Sequence, residues 1–117
     1  MESTQFVIFG ATGDLTHRKL LPALYRLHIK NNLPKDFSII AVARREKTHE
    51  EFKTDALKSL TEFVKNIDEE KADELLARLY YFKNNFDSDN FQGLKDYLDE
   101  LDIKHGTKGN RIFYLAT

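Results

Sequence analysis

A chain of 117 residues, 41% hydrophobic and 32% charged with both signs interspersed, can bury one modest core and is too apolar to stay disordered. Its net charge of −1 argues against a general nucleic-acid or membrane-surface partner, and the absence of cysteine excludes disulfides, thiolate metal sites and a cysteine nucleophile. No apolar run approaches the roughly 18 residues of a membrane span, and Met1-Glu2-Ser3-Thr4-Gln5 has no basic lead into a signal segment, so the simplest reading is a cytoplasmic protein.

The first element is Phe6-Val7-Ile8-Phe9, four apolar residues too few and too rich in β-branched and aromatic types for a helix. It reads as a strand buried on both faces, the kind found inside parallel sheets. A glycine turn follows, Gly10-Ala11-Thr12-Gly13-Asp14-Leu15. Gly10 and Gly13 can take positive φ and leave room for another molecule to approach the backbone. The spacing after them is helical, and the N–H groups and positive dipole end of a helix start hold a pyrophosphate. The alternative is a tight strand-to-helix connection, since G-x-x-G alone arises often by chance; the position after the first strand favours the nucleotide reading. The spacing departs from G-x-G-x-x-G, with Thr12 where a second glycine would stand and Leu15 where a third would.

Leu20, Leu21, Leu24 and Leu27 predict a helix from about Leu15 to Asn31, which Pro22 kinks or divides after a first turn of Asp14 to Lys19. Within it His17, Arg18 and Lys19 form a basic cluster, of which His17 and Arg18 read as an exposed helix face. Asn31-Asn32 closes the helix, Leu33 to Asp36 is a loop, and Phe37 to Ala43 is a second buried strand ending at Arg44-Arg45-Glu46. At that point NAD-binding sheets carry an acid against the ribose hydroxyls, whereas an arginine accommodates the 2′-phosphate of NADP. Arg44 and Arg45 therefore indicate NADP, the alternatives being a solvated arginine pair and Glu46 in the acid's role.

Thr48 with Glu51 forms a capping box for a helix carrying Phe52, Ala56, Leu57, Leu60 and Phe63-Val64 on one face. Asp68 caps a further helix with Ala72, Leu75-Leu76 and Leu79. Leu79 to Lys83 is the third strand by β-propensity. Phe86-Asp87-Ser88-Asp89 turns into a helix with Phe91, Leu94, Tyr97-Leu98 and Leu101 that ends at Lys104-His105-Gly106, and Arg111 to Ala116 is the fourth strand. Strands alternating with helices predict an α/β fold, a Rossmann-like doubly wound parallel sheet of strand order 3-2-1-4 with helices on both faces and the switch point between strands one and four. His28, His49 and His105 are too scattered for a metal site, and neither a G-x-S-x-G elbow nor a P-loop occurs.

Gly10-Ala11-Thr12-Gly13-Asp14-Leu15 with Arg18-Lys19-Leu20 and Pro22 resembles the G-A-[ST]-G-D-L-x-x-R-K-L-x-P signature of the glucose-6-phosphate dehydrogenase family. Val42-Ala43-Arg44-Arg45 is similar to that family's second strand, and Asn110-Arg111-Ile112-Phe113-Tyr114-Leu115-Ala116 to its fourth. The resemblance runs in register through the whole chain. It implies that residues 1–117 are the N-terminal part of a Rossmann NADP-binding domain, truncated before the catalytic and substrate domain. It also implies cofactor contacts at Gly10, Ala11, Thr12, Gly13, Asp14, Leu15, Arg44, Arg45 and Ala116, with Arg44 on the 2′-phosphate. Tyr81 aligns with a family tyrosine lining the cofactor site, although a half-buried strand tyrosine explains it equally well. Lys19 matches a family lysine at the shared mouth of the cofactor and sugar-phosphate sites.

The family's R-I-D-H-Y-L-G-K stretch and its histidine base do not occur among the 117 residues, so no catalytic residue is assigned and this portion alone is expected not to turn over glucose 6-phosphate. A fourth strand without a fifth beside it is expected to favour self-association into a homo-oligomer. The competing reading is a free-standing, non-catalytic nucleotide-sensing or interaction module with a G-A-T-G turn like those of short-chain reductases.

Overall fold

The computed structural model describes residues 3–84 and 88–116, the side chains of 88–91 excepted. Among these, four parallel strands form one sheet: β1 (Thr4–Phe9), β2 (Phe37–Ala43), β3 (Leu79–Lys83) and β4 (Arg111–Leu115), in the expected order β3-β2-β1-β4. β1 lies at the centre, with Val7 opposite Ile40 on one side and Phe113 on the other.

Alternation along β1 sends Phe6 and Ile8 to one face and Val7 to the other, and all three are buried. Three helices cover the first face: α1 (Leu21–Ile29), α2 (His49–Phe63) and α3 (Glu69–Leu76). Leu21, Leu24, Tyr25, Phe52, Leu60 and Leu75 carry this packing, each fully buried large side chain contributing about 1.5–3 kcal/mol. On the other face α4 (Ser88–His105) sets Leu94, Leu98 and Leu101 against Val7, Ile40 and Val42. Gln5 is a polar side chain in this centre, and both ends of its amide are satisfied. Its Nε2 donates to the Leu98 carbonyl at 2.7 Å and its Oε1 accepts from Arg111 Nε at 2.7 Å, which ties β1 to α4 and β4.

Local signals explain where the helices start. The Thr48 hydroxyl accepts from Glu51 N–H at 3.0 Å while the Glu51 carboxylate accepts from Thr48 N–H at 2.9 Å, completing the expected box. Asp68 caps α3 by accepting from Glu70 N–H and Lys71 N–H. Two expectations are corrected. Leu57 and Phe63 lie more exposed than the core face of α2, which is Phe52, Ala56, Ser59 and Leu60. The helix expected from Leu15 to Asn31 is divided near Pro22 as expected, but its first turn, expected over Asp14 to Lys19, is π-helical, Thr16–Leu20, and leads into α1. Pro22 is the cause: it has no N–H to give and its ring crowds the preceding turn, so the chain widens and Leu21 N–H reaches back to Thr16 O. The turn expected at Phe86-Asp87-Ser88-Asp89 lies partly outside the described residues.

Candidate functional site

The carboxyl ends of β1, β2 and β4 meet at the glycine turn. Gly10 N–H and Ala11 N–H both donate to the Val42 carbonyl, at 3.0 and 3.2 Å, so the turn is fastened to the end of β2. On its other side Ala116 N–H donates to the Phe9 carbonyl at 2.9 Å, which brings the end of β4 beside the turn. Gly13 N–H closes back on Gly10 O at 3.1 Å. The amides of Gly10, Ala11 and Gly13 are thus consumed within the protein. Those of Thr12, Asp14 and Leu15 make no backbone–backbone turn bond among the described residues.

The two glycines serve different purposes. Gly10 takes φ +77°, a left-handed conformation that favours glycine, as expected. Gly13 has no positive φ, and what it supplies is space: a Cβ there would lie 3.2 Å from Gly10 O and 3.7 Å from Ala116 O. Glycine at position 13 therefore lets the backbone of the turn pack closely on Gly10 O and beside the end of β4. Asp14 and Leu15 are exposed, and Asp14 pairs with Arg18 one turn on. Lys19 is exposed on the π-helical turn.

Beyond β2, Arg44 and Arg45 are exposed, and the segment they open is held residue by residue. Tyr81 on β3 donates its hydroxyl to the Arg45 carbonyl at 2.6 Å, and its own N–H donates to His49 Nδ1 at 2.9 Å. Lys83 Nζ lies 2.8 Å from Glu46 Oε2, and Lys47 Nζ lies 2.7 Å from Asp55 Oδ2. Desolvation raises the Tyr81 phenol above its usual range, with Arg45 opposing, so the hydroxyl stays protonated and able to donate. Glu46 is held below the usual carboxylate value, chiefly by the hydrogen bond from Lys83. The structure thus takes Tyr81 to the arginine segment, where it is buried against Phe52 with ring centroids 5.1 Å apart.

His17 is not on an exposed helix face as the sequence suggested. The π-helical turn directs it inward, half-buried, where its Nδ1 lies 2.7 Å from Ser59 Oγ on α2 and its ring lies 6.0 Å from that of Phe52. Burial lowers its pKa, with Asp55 opposing. The remaining histidines have structural partners: Glu74 for His28, Tyr81 N–H for His49 and the Tyr80 hydroxyl for His105. Among the described residues no group of three metal-ligating side chains comes together, and no helix is long and apolar enough to cross a membrane.

A central strand running into a glycine turn at the switch point, with arginines after the neighbouring strand, defines the first half of a Rossmann-type dinucleotide-binding fold. The sequence model of the family described as "Glucose-6-phosphate dehydrogenase, NAD binding domain" matches residues 7–117, and the chain belongs to that family. It is 43% identical over 114 residues to glucose-6-phosphate 1-dehydrogenase of Chlamydia muridarum (strain MoPn / Nigg), covering 95% of this chain and 22% of that protein. The structure of a glucose-6-phosphate dehydrogenase in complex with its substrate glucose-6-phosphate superimposes with a TM-score of 0.86 at 31% identity, covering 99% of this chain and 24% of the other. Glucose-6-phosphate 1-dehydrogenase from Mycobacterium avium gives 0.77 at 30% identity, covering 98% and 24%. The chain therefore spans less than a quarter of the length of these relatives. The matches do not favour a free-standing nucleotide-sensing module.

Proposed function

We propose that residues 1–117 form the N-terminal part of the NADP-binding domain of a glucose-6-phosphate dehydrogenase. The whole enzyme oxidises C1 of glucose 6-phosphate by hydride transfer to NADP⁺, giving the lactone. In this reading the turn Gly10, Ala11, Thr12, Gly13, Asp14 and Leu15 receives the pyrophosphate, with Thr12, Asp14 and Leu15 offering their N–H groups and Gly10, Ala11 and Gly13 shaping the backbone, Ala116 flanks it across the crevice, and Arg44 with Arg45 takes the 2′-phosphate. Tyr81 supports the cofactor site by fixing the Arg45 backbone. Lys19 draws the phosphate of the sugar toward the shared mouth. No residue of these 117 is assigned as a base.

The observation that carries this reading is the glycine turn at the carboxyl end of β1, fastened to Val42 O at the end of β2 and flanked by Ala116 at the end of β4, with Arg44 and Arg45 exposed just beyond β2. NADP supplies the hydride acceptor when bound, and this chain's part is to bind and orient its adenosine and pyrophosphate. A cytoplasmic setting and association into homo-oligomers belong to the same proposal. Titration calorimetry of the chain with NADP⁺ and NAD⁺ tests it. Binding of both with NADP⁺ preferred is expected, and absence of heat with either overturns the reading.

A further inference from the structure

The segment after β2 reads Arg44-Arg45-Glu46-Lys47, so one carboxylate sits among three cations where the cofactor's ribose is discriminated. Left to itself, Glu46 has the chemistry of the acid that NAD-binding sheets carry there. It would accept hydrogen bonds from the ribose hydroxyls and repel a 2′-phosphate. Lys83 ends β3 directly opposite Ala43, the last residue of β2, and its ammonium lies 2.8 Å from the Glu46 carboxylate. The pairing follows from the sheet's register, because a long side chain at the end of one parallel strand reaches the segment leaving its neighbour. Two residues earlier on the same strand face, Tyr81 holds the Arg45 carbonyl at 2.6 Å, so β3 fixes the backbone of the segment with one residue and its carboxylate with the other.

We propose that Lys83 is a specificity-determining residue for the cofactor, holding Glu46 at the end of β3 and cancelling its charge so that the ribose pocket beside Arg44 presents a net positive surface to a 2′-phosphate. The inference rests on the cofactor reading above and deepens it. Lys83 is a positioning residue, acting through Glu46. Both side chains of the pair are largely exposed, at 43% and 87%, so its influence is that of a screened surface pair: a modest factor, weakened by salt.

Calorimetric titration of the full chain with adenosine 2′,5′-bisphosphate and adenosine 5′-monophosphate isolates the 2′-phosphate, since the two probes differ by that group alone. The parent prefers the bisphosphate. Lys83→Ala lowers the ratio of the two affinities about two- to fivefold, Lys83→Arg keeps it, and Glu46→Gln added to Lys83→Ala restores it. An unchanged ratio in Lys83→Ala overturns this inference and leaves the cofactor reading standing. A lowered ratio that Glu46→Gln does not restore also overturns it, because Lys83 would then touch the phosphate directly. A parent chain without preference overturns the cofactor reading, and this inference with it. Carbon-detected NMR titration of the Glu46 carboxyl gives an independent reading: its pKa rises toward the ordinary value in Lys83→Ala, and an unmoved pKa overturns the pairing.

Discussion

Tyr81 donates its hydroxyl to the backbone carbonyl of Arg45 at 2.6 Å, so a side chain buried in β3 sets the path of the chain leaving β2. Tyr81→Phe keeps the ring on Phe52 and removes only that bond. The Arg45 carbonyl then turns to water, at a net cost of about 1 kcal/mol. Urea unfolding followed by circular dichroism should give a lower midpoint with unchanged slope. Affinity for NADP⁺ should fall more than affinity for NAD⁺, because the arginine segment loses one of its fixings. Equal loss for the two cofactors would mean that the tyrosine does not act through Arg45.

Gly13→Val tests the crevice. The Cβ lies 3.2 Å from Gly10 O before any γ-methyl is added, and the added bulk fills the space toward Ala116 O. Both cofactors should bind more weakly, by about tenfold or more, as expected for lost backbone approach to a phosphate. Gly13→Ala should show a smaller loss in the same direction. Calorimetry on the three chains measures the series, and a Gly13→Val chain that binds as tightly as the parent would remove the turn from the site.

Where the sequence was legible, the signal was local. A strand buried on both faces must be apolar at consecutive positions, which marks Phe6 to Phe9 and Phe37 to Ala43, and their parallel pairing then follows from the helical crossovers between them. Caps are equally local, since Thr48 meets Glu51 and Asp68 meets Glu70 and Lys71 within one helical turn. The π-helical turn was hidden because Pro22 forces a rearrangement upstream of itself that no residue in Thr16–Leu20 announces. His17 was misread, and the ion pair of Glu46 was not foreseen, for a different reason. Their partners, Ser59 and Lys83, stand 42 and 37 residues away, and contact depends on α2 and β3 docking beside the turn and β2.

The proposed association of copies would run through β4. Among the described residues it is an edge strand, and Phe113 and Leu115 on it are 55% and 77% exposed. Unpaired N–H and C=O groups beside apolar side chains are a template for a second copy of the chain. Sedimentation velocity should show a dimer growing with concentration, and Leu115→Lys should shift the profile toward monomer. A parent chain that stays monomeric at high concentration would exclude pairing through this edge.

Two partly buried histidines give stability a defined pH dependence. Burial lowers the pKa of His17 below its usual 6.5, and that of His105 likewise, with Arg78 and Lys104 adding to the effect on His105. A depressed pKa means that the unfolded chain binds protons more readily than the folded one, so the stability is fully present above about pH 6.5 and is lost as pH falls through the folded values. The melting temperature should therefore rise as pH is raised toward about 6.5. His17→Gln retains a group able to hydrogen-bond Ser59 and removes the titration, and it should flatten part of that rise. A slope unchanged by the substitution would assign the effect to His105 or to another group.

In the proposed reading the choice between cofactors rests on Arg44. A turn from Gly10 to Gly13 that met the pyrophosphate common to NAD and NADP could not tell them apart, and discrimination would fall to the exposed end of β2. There a guanidinium can form a bidentate, charge-assisted bond with the 2′-phosphate, an interaction absent from NAD. A hydrogen bond to a charged group contributes roughly 1.5–3 kcal/mol, which sets the preference at about tenfold or more. Arg44→Ala should erase most of it while leaving NAD⁺ affinity nearly unchanged. Arg44→Lys should recover only part, because a point charge lacks the planar fork. Rising salt should narrow the gap in the parent and have less effect in Arg44→Ala. Titration calorimetry with both cofactors at two ionic strengths measures all of this, and an equal loss of NAD⁺ and NADP⁺ affinity in Arg44→Ala would show that Arg44 does not read the 2′-phosphate.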